Sequence, residues 1–152
     1  MRKAHYLPYN KSSGRVPLRM VFVDTEATNA DGKIGVGRQR LTFGVAHYVG
    51  FRDSEACIPN KTDSLRFTTS AAFWDFCERF TIKGRALWIL AHNWNYDAGI
   101  LATTALVARG WVVTKYVNPR RPPVMIRFRR GGATIQLVDS MNYFTTSVAA
   151  LG

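Results

Sequence analysis

Three acidic residues carry the chemistry this sequence offers: Asp24 and Glu26 in "VFVDTEATN", and Asp97 in "AHNWNYDAGIL". Side chains alternate along a strand, so Asp24 and Glu26 project from one side while Thr25 points the other way. Two like charges held that close repel unless something positive lies between them, which favours a divalent cation or a basic partner. A solvated strand end is the plainer explanation for an isolated D-x-E. Asp97 lies where a strand gives way to a helix. There a carboxylate serves either as an N-cap, accepting from free amides, or as part of a site at the carboxyl end of a sheet. His92 alone reads as a satisfied polar residue at the strand end, and Trp94 and Tyr96 alone as core aromatics.

The chain of 152 residues fits one domain, with a loose basic arm over 1–18 and a folded unit over 19–152. Hydrophobic residues at 47% exclude wholesale disorder. Lys and Arg number 21 against 10 acids, a formal charge of +11 that favours a polyanionic partner, nucleic acid above all. Cys57 and Cys77 show neither zinc spacing nor a disulfide framework, and read as free thiols in a reducing compartment. No apolar run reaches the roughly 20 residues that span a bilayer, so no membrane partner is expected and the cytoplasm is the expected location.

Strands are expected at "LRMVFVDTE", "LTFGVAHYVG" and, briefly, "LRFTTS", with "RDSEACIPNKTDS" as turns before the third. The glycines of "GKIGVG" lack the ending of a phosphate loop and precede a strand. A helix capped by Thr69 or Ser70 follows and stops at Lys83-Gly84. "RALWILAHN" reads as a central strand covered on both faces, and one helix then runs from Asp97 to Arg109. "WVVTKYV", "PVMIRFRR" and "TIQLVDS" are strands, the last two joined by a Gly-Gly hairpin turn. An antiparallel meander feeding a strand-helix crossover gives an α/β fold: a mixed sheet with flanking helices and an additional β-hairpin. The ribonuclease H-like fold has this order. Arg127 and Arg129 share one strand face and can follow a phosphate backbone; the alternative is an edge hairpin protected by its charges.

"VDTE", followed 73 positions after its aspartate by that of "HNWNYD", resembles the first two motifs of the DEDD (DnaQ-like) 3′-to-5′ exonucleases. "LVDSMNYFTTSVAAL" is similar to a segment of family B DNA polymerases, most of all the protein-primed branch, with Val148 where that branch has Leu. The resemblance implies a proofreading exonuclease that hydrolyses terminal phosphodiesters of single-stranded DNA with two Mg²⁺ or Mn²⁺ ions. It implies that Asp24, Glu26 and Asp97 are the catalytic metal ligands. Asn93 and the Thr25 backbone would position the terminal nucleotide, Ser147 would contact the strand, and Trp94 would stack on an unpaired base. Implied partners are a single-stranded 3′ end, DNA or RNA, a downstream polymerase domain and a terminal protein, within a nucleoid or viral replication complex. The third motif, a Tyr or His and a fourth carboxylate, finds no counterpart before Gly152, so a truncated editing domain is expected. Asp139 is not a metal ligand in the resembling polymerases. The competing reading is a catalytically impaired module that only binds single strands.

Overall fold

The computed structural model describes residues 17–29, 39–52, 59–117 and 125–142. Strands β1 (Arg19–Asn29), β2 (Gln39–Phe51) and β3 (Pro59–Phe67) form an antiparallel meander. Helix α1 (Ser70–Glu78) leads into β4 (Ala86–Ala91), which pairs parallel to β1. Helices α2 (Trp94–Ile100) and α3 (Thr104–Ala108) then precede β5 (Val112–Val117), β6 (Met125–Arg130) and β7 (Ala133–Asp139). β7 returns parallel to β4, and one mixed seven-stranded sheet results, ordered β3-β2-β1-β4-β7-β6-β5. The fold is therefore α/β. No described helix is long and apolar enough to cross a membrane.

Strand alternation decides which side of the sheet the helices cover. Val21 and Val23 of β1, Ala46 and Tyr48 of β2, Leu87 and Ile89 of β4, and Ile135 and Leu137 of β7 are buried in one cluster. Phe73, Trp74, Phe76 and Cys77 of α1 complete it. Burial raises the Cys77 thiol well above its ordinary pKa, with Glu78 adding to the effect. Each buried indole finds an acceptor: Trp74 donates to the Leu101 carbonyl at 2.8 Å, Trp94 to Val138 at 2.9 Å and Trp111 to Glu78 at 2.7 Å. The opposite face is much more open, leaving Phe22 43% and Val45 46% exposed. β4 is central as expected but not covered equally, since Ala86, Trp88 and Leu90 on this second face are only half-buried.

Three local expectations need correction. β3 begins at Pro59, inside the stretch read as turns, because an outer strand pairs on one side only and tolerates Lys61, Thr62 and Asp63. The helix expected over Asp97–Arg109 starts earlier, at Trp94, and divides in two. The division lies at Ala102, whose φ of 47° is left-handed, directly after the carbonyl that Trp74 occupies. A left-handed Ala costs about 1 kcal/mol that Gly avoids, so Ala102→Gly is expected to raise the urea midpoint, or at worst leave it unchanged. Thr69 does cap α1, accepting from the Ala72 amide at 3.2 Å. Gly131 and Gly132, at φ 54° and 83°, make the hairpin turn as expected.

Within the sheet the tightest approach to a glycine is at Gly44. A Cβ on Gly44 would lie 2.3 Å from the Phe67 ring, which packs across this position beside Thr25. Gly44→Ala is expected to cost about 1–3 kcal/mol in chemical denaturation, because the buried ring has little room to withdraw.

Candidate active site at the carboxyl ends of the parallel strands

Register places the site. Val23 of β1 pairs with Ala91 of β4, and Ala91 pairs with Asp139 of β7, so the parallel pairing of the three strands stops in one row, where β4 and β7 end and β1 runs on to Asn29. The residues at or just beyond this row are Asp24, Thr25 and Glu26 within β1; His92, Asn93 and the start of α2; and Asp139 with Ser140. A bulge between Glu26 and Ala27 interrupts pairing with β2 directly after the second acid. Bulges commonly re-aim side chains beside functional sites.

The acids divide between the two faces. Asp24 and Glu26 are exposed on the open face, and among the described residues no Lys or Arg bridges either one. Thr25 points the other way and is buried, where its hydroxyl donates to Asp97 Oδ1 at 2.5 Å. Asp97 itself is 2% exposed. Its carboxyl is pushed from the ordinary 3.8 to about 6: burial is the largest cause, the charges of Asp24 and Asp139 add to it, and the Thr25 hydrogen bond opposes it. Asp97 thus feels the charge of Asp24 across the strand. Among the described residues, no three His, Cys, Asp or Glu side chains come together as an ion cage.

Asp139 performs the capping that the sequence suggested for Asp97. Its two oxygens accept from the amides of Asn93 at 3.0 Å and Trp94 at 2.9 Å, and the first also accepts from Met141 at 2.9 Å. It therefore fixes the start of α2 from the neighbouring strand end. No local pattern could have identified this pairing, which spans 46 positions. Asn93 precedes the helix with φ 76°, a left-handed conformation that Asn tolerates, and its side chain is exposed at the rim. His92 shares a hydrogen bond with Ser140 at 2.9 Å, as expected of a satisfied strand-end histidine.

Trp94 requires correction. It is 2% exposed with its indole nitrogen bonded to Val138, so it is a core side chain and not a stacking platform. Ser147, Cys57 and the arm over 1–16 lie outside the described residues. Arg127 and Arg129 share a face as expected, both lining one cavity. They do not occupy an edge, because β5 lies outside β6, and this removes the reason for treating them as edge protection. Comparison with family models, curated proteins and solved structures finds no match.

Proposed function

We infer that this chain is a metal-dependent 3′-to-5′ exonuclease module with a ribonuclease H-like arrangement, acting on the end of a single nucleic-acid strand as the proofreading part of a family B type polymerase. One observation carries the reading: Asp24 and Glu26 on one face of β1 and Asp97 behind the other lie where the parallel pairing of β1 with β4 stops, and Asp24 is near enough to help raise Asp97 to about 6. Excess negative charge of this kind is what a hard cation relieves.

The donor set fits Mg²⁺ or Mn²⁺, being entirely carboxylate oxygen. Asp24 and Glu26 would hold the ions from the open face, with Asp97 joining from the helix side once Thr25 releases it. Bound in pairs, such ions supply an activated water and stabilise the leaving 3′ oxygen. The protein's own contribution is placement. Asp139 fixes the start of α2 and hence Asp97, while Asn93 stands exposed at the rim where a terminal nucleotide would lie.

The second reading, a strand-binding module without hydrolysis, draws on the Thr25 bond that keeps Asp97 on the far side of β1. A 5′-labelled single strand incubated with Mn²⁺ separates the two. The exonuclease yields a ladder shortened from the 3′ end and halted by a 3′-terminal phosphorothioate block. An intact strand, or cuts at internal positions, contradicts it.

A further inference from the structure

The open face carries a second feature at its other end. A cavity of about 380 Å³ opens where β4 and β7 begin and β6 ends, lined by Arg85, Arg127, Arg129, Gly132, Thr134 and Gln136 among others. None of its lining residues is acidic. Arg127 is held in place there: its Nε and Nη2 donate to the Gln136 side-chain oxygen at 3.0 and 2.8 Å, and Gln136 is 2% exposed. Arg85 and Arg129 are exposed, and among the described residues neither is paired with an acid. The Gly84 amide donates to the Gly132 carbonyl at 3.0 Å, tying the turn before β4 to the β6–β7 hairpin and fixing the cavity's walls. Three guanidinium groups around one concavity, one of them locked by a buried amide, form a site suited to phosphate oxygens.

Register connects this cavity to the carboxylates. Gln136 pairs with Trp88 on β4 and Trp88 with Met20 on β1, all on the open face. Trp88 also shares a second cavity with Arg85. The next position toward the strand ends on β1 is Phe22, 43% exposed, and beyond it lie Asp24 and Glu26. Cations, two accessible aromatic rings and the acidic pair therefore follow one another along a single face. Aromatic rings beside a basic groove are how sequence-tolerant single-strand sites are built.

Resting on the exonuclease reading, we propose that a single nucleic-acid strand runs along this face, its 3′ end at Asp24 and Glu26 and an upstream phosphate in the Arg85–Arg127–Arg129 cavity, with bases against Phe22 and Trp88. Six residues of β4 span about 20 Å at ~3.3 Å each. That distance equals about six nucleotides at the ~3.4 Å of a stacked strand, so a stacked strand of four falls short of the cavity and one of twelve spans it.

The test is anisotropy of 5′-fluorescein oligo(dT) of four and twelve nucleotides on the full chain in EDTA, across a salt series. Wild type is expected to bind the twelve-mer with a steeper salt slope than the four-mer. In Arg85→Gln/Arg129→Gln the twelve-mer slope is expected to fall by about 0.7, the contribution of the one single-strand phosphate contact made in the cavity. The four-mer should be unaffected, and Arg85→Lys/Arg129→Lys, which keeps both charges, should retain the slope. An unchanged twelve-mer slope in the Gln variant, with the thermal midpoint preserved, overturns the proposal. So does equal saturation of the cavity by inorganic phosphate with no dependence on strand length, which would make it a small-anion site. Hydrolysis of the four-mer in Mn²⁺ is read separately. Its absence beside a reduced twelve-mer slope removes the exonuclease and leaves the strand site; its presence beside an unchanged slope removes the strand site alone.

Discussion

Asp24→Asn is expected to reduce hydrolysis of a single strand by more than about 100-fold while leaving the protein folded. The scale follows from metal sites in general, where loss of even an outer-shell partner costs about 10–100-fold, so loss of a direct ligand exceeds that. Folding should survive because Asp24 is exposed on the open face and makes no ion pair among the described residues. Circular dichroism and denaturation of the variant check that half; a gel assay with labelled oligonucleotide checks the other. Wild-type degradation by a folded Asp24→Asn protein would show that the acids of β1 do not perform the chemistry.

Asp97→Asn should combine loss of activity with a gain in stability. With its carboxyl at about 6 in the fold against 3.8 ordinarily, the native state holds this proton more tightly than the unfolded chain. Stability therefore falls as pH rises from about 4 to about 6 and is level beyond, the reverse of a salt-bridged carboxylate. A shift of about two units corresponds to about 3 kcal/mol at most. Asn keeps an oxygen to accept from Thr25 without the buried charge, so in EDTA the variant is expected to melt about 4–8 °C higher at pH 7.5 and to show little gain at pH 4. Asp97→Ala is a poorer probe, since it leaves the buried Thr25 hydroxyl without its acceptor. Equal melting of wild type and Asp97→Asn at both pH values would mean that Asp97 is not held as a strained, partly protonated acid.

The sheet was legible in the sequence because its signals are local. Apolar runs marked β1 and β4, the Gly131-Gly132 pair marked its turn, and Thr69 marked the first helix, while the one-sided burial of Leu87 and Ile89 was not visible in a run read as covered on both faces. The grouping of Asp24, Glu26 and Asp97 came from the resemblance of their motifs, whereas the parallel pairing of β1 with β4 that sets Asp24 beside the start of α2 is visible only in the structure. What the sequence withheld was contact between distant segments. Nothing near Asp97 says that Asp139 takes over the helix cap, or that Thr25 turns inward to bind Asp97. Trp94 lies among polar residues yet faces the core, because the helix begins three residues before Asp97 and this sets its direction. Arg85 drew no notice because its partners in the cavity lie more than forty positions away, and only the register of β4 with β7 brings them together.

Mn²⁺ binding to the intact protein, followed by loss of the free-ion electron paramagnetic resonance signal, addresses the central claim most directly. Wild type should take up about two ions per chain at neutral pH, as a paired-metal site requires, with Asp24→Asn losing most of that uptake. Arg85→Gln/Arg129→Gln should keep it. Uptake that is absent in wild type, or identical in Asp24→Asn, would contradict the account.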